Sequence, residues 1–252
     1  MSAVAQVQDV RKRYGSRQPW AVDGVSLSVA AGEAFGLLGP NGAGKTSIVK
    51  MLAGLTTPIE GSVRIFGADP LEPGARARLG YAPEEPDFPK FLRGDEVLDY
   101  FGRLCGLDAG ERAGRAVEAL GWAGLGGERR QVRQYSKGMK QRLGLAQALI
   151  THPQLLILDE PTSDLDPLGR RAVRDLIVEL KQHGTAVLLN SHLLSEVEMV
   201  CDRVAIINRG KLVREGTVHE LVPAGKTLED VFIELFEGDR PTPGGFVGGW
   251  GE

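Results

Sequence analysis

Short apolar runs, broken only by Glu33 and Arg64, punctuate the chain at 33–38 (EAFGLL), 63–66 (VRIF), 155–158 (LLIL), 186–189 (AVLL) and 204–207 (VAII). Runs of this length without polar alternation predict short strands covered on both faces, as in a parallel sheet. Between them the apolar positions fall three or four apart. Residues 167–183 are the clearest case, with Val173, Leu176, Ile177 and Leu180 on one face and Gly184 suited to end the helix. Strands alternating with helices in this way predict an α/β fold built on a largely parallel sheet. From about 86 to 150 the strand signal vanishes and helical spacing takes over, so this stretch reads as a helical subdomain inserted into the sheet domain. Residues 239–252, rich in Gly and Pro and without a period, predict a mobile tail, which leaves 1–238 as the folded domain.

Composition changes this picture little. The 252 residues, 42% hydrophobic and 25% charged, suit one large core with a subdomain. Thirty basic against thirty-three acidic residues leave a net charge of -3, and no nucleic-acid partner is expected. The basic residues Arg129, Arg130, Arg133, Lys137, Lys140 and Arg142 nevertheless crowd one stretch. Cys105 and Cys201 are too few for a disulfide framework or a zinc cluster and read as part-buried thiols. The N-terminus lacks the apolar core of a signal peptide, and no uncharged apolar run approaches the ~20 residues of a membrane helix. A soluble, cytoplasmic chain is expected, with any link to a membrane made through a partner.

Two stretches carry phosphate chemistry. GPNGAGKT, Gly39, Pro40, Asn41, Gly42, Ala43, Gly44, Lys45 and Thr46, followed by Ser47, joins an apolar strand to a helix. In that context glycines let backbone N–H groups wrap an anion, Lys45 reaches β- and γ-phosphates, and the Thr46 hydroxyl suits Mg²⁺. A nucleoside triphosphate is therefore the expected ligand. LLILDE ends a buried strand in two carboxylates, of which Asp159 suits the Mg²⁺ shell and Glu160 the orientation or deprotonation of a water. The second stretch is YSKGM. Ser136 is a good N-cap for a helix whose buried stripe is Met139, Leu143, Ala146 and Ile150, and a helix N-terminus attracts anions. One chain thus carries two phosphate cradles.

GPNGAGKT, YSKGMKQRL, LLILDEPTSDLD and NSH, in that order and spacing, resemble the nucleotide-binding subunit of ATP-binding cassette (ABC) transporters over the chain to about residue 238. The resemblance implies a P-loop NTPase core with an N-terminal antiparallel β part, binding ATP with Mg²⁺ and hydrolysing it. It also implies a head-to-tail dimer, a homodimer or a pair with another ABC ATPase, in which Ser136 and Gly138 of one chain touch the γ-phosphate held by the other. The basic cluster would then face the arriving nucleotide. Tyr14 looks like the aromatic that stacks on adenine, His192 like the switch histidine at the γ-phosphate, and Asp166 like the aspartate through which subunits sense each other. Glu84 stands where many members have a glutamine; it would reach Mg²⁺ but add negative charge beside the phosphates. Asp164 receives no role and reads as a surface carboxylate. APEE, YSKGM and LEDVFIEL resemble the export-type subgroup, which works beneath an integral membrane permease subunit and so sits peripherally on the inner face of the plasma membrane. Two alternatives stay open on the residues: a soluble ABC-type ATPase that drives assembly of a complex, and a slow nucleotide-dependent clamp.

Overall fold

The computed structural model describes residues 3–236. The chain opens with β1 (Ala3–Lys12) and β2 (Val22–Ala30), then β3 (Ala34–Leu38), α1 (Lys45–Leu52) and β4 (Glu60–Ile65). There follow α2 (Pro73–Arg76), β5 (Leu79–Ala82), α3 (Gly94–Leu104), α4 (Ala109–Trp122) and α5 (Lys137–Leu149). The remainder is β6 (Leu155–Asp159), α6 (Pro167–Gln182), β7 (Ala186–Asn190), α7 (Leu194–Val200), β8 (Arg203–Asn208), β9 (Lys211–Thr217), α8 (Val218–Leu221) and α9 (Leu228–Phe236).

Two sheets form. One has the order β2-β1-β4 and is antiparallel throughout. The other has the order β5-β6-β7-β3-β8-β9 and is parallel except for β9, which returns antiparallel along β8. Every residue of β3, β6 and β7 is buried, as the unbroken apolar runs require of strands covered on both faces. On one face Phe35, Leu37, Ile157 and Leu188 pack with Ile48 and Leu52 of α1 and with Val7 and Ile65 of the antiparallel sheet. On the other, Leu38, Leu156, Leu158 and Leu189 pack with Val173 and Ile177 of α6 and Val197 of α7. Burying side chains of this size contributes roughly 1.5–3 kcal/mol each.

Within 86–150, where helical spacing was expected, α3, α4 and one face of α5 pack around Val97, Leu98, Leu120, Met139, Leu143 and Ala146. A second face of α5 serves the sheet instead: Leu145, Ala148 and Leu149 pack on the parallel strands, while Ala146 stays in the helical cluster. One helix therefore belongs to both units. The run 63–66 also departs from the simplest reading, because β4 joins the antiparallel sheet and Phe66 leaves the strand with φ of 53°. Residue 33 precedes rather than begins β3, and its carboxylate pairs with Arg203 at 2.9 Å. Helix α6 stops one residue early on a His183 cap, with Gly184 beyond it at φ of 86°. The two thiols are not alike, Cys201 being buried and Cys105 exposed. Among the described residues no helix is long and apolar enough to cross a membrane. The tail expected at 239–252 lies outside the described residues.

Parallel strands all end on the same side, and this positions the chemistry. The phosphate loop follows β3, Asp159 and Glu160 end β6, Asn190 and His192 follow β7, and Glu84 follows β5.

Candidate active site

The loop between β3 and α1 has room for nothing larger than glycine at two of its positions. Gly39 lies at φ of 153° and Gly44 at 108°, and a Cβ would fall 2.1 Å from the Ile207 carbonyl oxygen at the first and 2.2 Å from that of Ala21 at the second. The loop thus rests directly on the backbone behind it, where Gly210 N–H also donates to the Ala43 carbonyl at 2.9 Å. Helix α1 starts at Lys45 with no acidic residue in its first turn, leaving its N–H groups and dipole free to favour an anion.

The Lys45 ammonium is buried and donates to the carbonyls of Gly39 (2.7 Å) and Pro40 (3.2 Å). Burial pushes its pKa down, while the carboxylates of Glu160, Asp159 and Glu84 pull the other way. Partly desolvated and held by neutral carbonyls, this cation is suited to exchange them for phosphate oxygens. Thr46 is exposed beside it, and Ser47 is buried and accepts a hydrogen bond from the Tyr14 hydroxyl at 3.1 Å. The Tyr14 ring itself is 58% exposed.

Asp159 and Asn190 are partners across the β6–β7 ladder, and the Asn190 amide donates to the Asp159 carboxylate. With 3% exposure, Asp159 has its pKa raised by desolvation, against the hydrogen bond from Asn190 and the charges of Lys50 and Lys45. The oxygen of the same amide, Asn190 Oδ1, is buried and receives no hydrogen bond from the described residues. Glu160 then leaves the strand in the left-handed region, at φ of 49°. For a residue with a side chain this costs about 1–2 kcal/mol, and it turns the carboxylate out of the strand's alternation toward the phosphate loop. There its Oε2 accepts from the backbone N–H of His192 at 3.2 Å and from the ring Nδ1 at 2.7 Å. Glu84 completes an acidic wall. Its pKa is raised first by desolvation and then by Asp159, Glu160 and Glu85, with His192 opposing.

These groups surround a cavity of about 460 Å³ lined by Ala21, residues 41–47, Glu84, Glu160, Asn190 and His192. The lining combines the backbone and ammonium of residues 41–47 with the carboxylates of Glu84 and Glu160. Among the described residues no three His, Cys, Asp or Glu side chains are arranged to hold a metal by themselves. Mg²⁺ carried with a nucleotide needs fewer protein groups, because phosphates and waters supply most of its ligands. The hard oxygens of Thr46, Asp159 and Glu84 fit that demand.

Other expected residues lie elsewhere. Ser136 caps α5 by accepting from Met139 N–H at 3.2 Å, and neither it nor Gly138 lines the cavity. Asp166 caps α6 by accepting from Gly169 N–H at 2.8 Å, and Asp164 is exposed. Three members of the basic cluster are engaged within the chain. Arg130 pairs with Glu128 at 2.6 Å, Arg129 with Asp95 at 3.7 Å, and Arg142 is turned to the carbonyls of Gly138 and Gly124, each at 3.4 Å. The field expected to face a nucleotide is thus partly neutralised within the chain. Sequence reasoning missed Asn190 and Gln141. A polar residue closing the apolar run 186–189 was a readable signal for the first; a glutamine on an amphipathic helix carried none for the second.

A family model described as ABC transporter matches residues 22–163. An uncharacterized ABC transporter ATP-binding protein of Nostoc sp. is 42% identical over 233 residues, covering 89% of this chain and 70% of the relative. The Nod factor export ATP-binding protein I of Cupriavidus metallidurans is 41% identical over 254 residues, covering 96% and 81%. Among solved structures, an ATP-binding subunit of an ABC transporter superposes with a TM-score of 0.84 at 31% identity, covering 92% of this chain and 99% of that one.

Proposed function

The chain belongs to the ABC transporter family as an ATP-binding, ATP-hydrolysing subunit, and from that premise we propose that it drives outward transport by closing on ATP as a head-to-tail homodimer beneath a separate membrane permease. The observation that carries the mechanism is the convergence of Lys45, Glu84, Glu160 and His192 on one cavity at the carboxyl ends of β3, β5, β6 and β7. Outward direction is supported by relatives such as the Nod factor export protein. A permease partner would place the chain at the cytoplasmic face of the membrane. Residues 1–238 would form the ATPase domain, with 86–150 as its inserted helical part.

In this reading Tyr14 stacks on adenine, and the loop from Gly39 to Ser47 wraps the phosphates with Lys45 at the β- and γ-positions. Thr46, Asp159 and Glu84 would hold Mg²⁺, which when bound offsets phosphate charge. Glu160 orients the attacking water and accepts its proton, and His192 keeps that carboxylate aimed while facing the γ-phosphate. Ser136 and Gly138 come from the second copy. Asp166 at the start of α6 lies close in sequence to this face and would report one site to the other.

The test uses Glu160→Gln, which keeps the shape of the side chain and removes the base, at a cost of about 10²–10⁴ in rate. With ATP the variant should form a stable dimer by light scattering. Adding Ser136→Arg should dissolve that dimer while ATP still binds the monomer. A double variant that still dimerises with ATP would remove Ser136 from the shared site and overturn the head-to-tail arrangement.

A further inference from the structure

Gln141 is a buried amide on α5, 5% exposed, five positions after the Ser136 cap. Its Nε2 donates to the backbone carbonyl of Glu160 at 3.3 Å. The same carbonyl accepts from the Ser163 hydroxyl at 3.1 Å and from Ser163 N–H at 3.4 Å, while Glu160 N–H donates to the Asn190 carbonyl at 2.8 Å. The left-handed backbone of Glu160 is therefore gripped on both sides of the residue. Three of the grips come from its own turn and the neighbouring strand. The one from Gln141 comes from the helix that presents the second phosphate cradle. That helix end has no slack against the turn, since a Cβ on Gly138 would fall 2.9 Å from the Asp164 carbonyl oxygen.

We propose that Gln141 is a positioning residue that ties the signature helix to the catalytic carboxylate, so that a γ-phosphate docked on Ser136 and Gly138 sets the aim of Glu160 in the same chain's own site. The inference rests on the dimer reading above. In that dimer each chain touches two nucleotides, one through its phosphate loop and one through α5. The path between them is short and stiff, because five helical residues span only ~7.5 Å, and it ends on the one backbone conformation that directs Glu160 into the cavity. The two sites thereby become coupled in hydrolysis without Gln141 touching either nucleotide.

The experiment compares Gln141→Met, which keeps the length of the side chain and removes the donor, with Gln141→Glu, which keeps its shape and replaces the donor with an acceptor. Steady-state ATPase, equilibrium ATP binding and light scattering of each change placed on Glu160→Gln are measured on the full chain. Misplacement of a catalytic group on this scale costs about 10²-fold in kcat, and cooperativity in ATP should fall toward that of independent sites. KM and ATP affinity should stay within about twofold, and the ATP-loaded dimer on Glu160→Gln should persist. Full kcat in both variants would overturn the proposal. So would parallel losses of kcat, affinity and dimer, which mark a residue that only supports the fold. If Glu160→Gln alone fails to dimerise with ATP, the dimer reading itself falls, and the coupling with it.

Discussion

Replacing His192 with alanine tests how Glu160 is aimed. Two donors reach the Glu160 Oε2, the ring Nδ1 of His192 at 2.7 Å and the backbone N–H of the same residue at 3.2 Å. The substitution removes the first and leaves the second, along with the phosphate loop and Lys45. A hydrogen bond to a charged group is worth about 1.5–3 kcal/mol. The ring is 55% exposed, however, so water competes for the same oxygen and the lower end applies. At ~1.4 kcal/mol per tenfold, kcat should fall by about tenfold, and His192→Gln, which retains an N–H donor, should lose less. The assay is steady-state ATP hydrolysis by the purified chain across a range of ATP concentrations, paired with equilibrium ATP binding. KM and affinity should change less than kcat, because the phosphate loop and Lys45 are untouched and only the His192 ring is lost from the cavity lining. A variant with native kcat, or one that loses affinity while keeping kcat, would show that His192 does not act through Glu160.

Lys45→Ala should abolish ATP binding in equilibrium titration, since Lys45 is the buried ammonium at the loop and its removal leaves the phosphates facing the Glu160, Asp159 and Glu84 carboxylates; unchanged affinity would take Lys45 out of the site. Glu84→Gln should leave nucleotide binding intact and lower the Mg²⁺ concentration needed for turnover, measured as rate against Mg²⁺, and an unaltered dependence would place Glu84 away from the metal. Tyr81, whose phenol is pushed from 10.0 up to about 12 by burial and then by Asp159 and Glu84, should ionise at lower pH in the same variant, read by ultraviolet difference titration against Tyr81→Phe. Its sign follows from which state keeps the proton: the unfolded phenol ionises first, so the contribution of Tyr81 to stability declines as pH rises from 10.0 to about 12. An unshifted Tyr81 in Glu84→Gln would mean that the two groups do not share a field.

The amino-acid sequence by itself determined whatever depends on near neighbours. Apolar runs such as 155–158 and 186–189 were legible as strands because a segment covered on both faces is apolar until it reaches the sheet edge, where Asp159 and Asn190 end these two. The phosphate loop was legible because glycine is needed where a backbone lies too close for a Cβ, and Ser136 and Asp166 were legible as caps because their partners are three residues away. The tertiary structure decided what depends on strand order. It sent 63–65 to the antiparallel sheet, split α5 between two cores, and set Arg129 and Arg130 beside acidic neighbours. It also brought Glu84, Glu160 and His192 from the ends of three strands to one cavity, set Asn190 against Asp159, and put the Gln141 amide on the Glu160 carbonyl. Local propensity reaches about one helical turn along the chain, whereas these groups meet only because parallel strands with crossover helices carry distant segments to the same edge of the sheet.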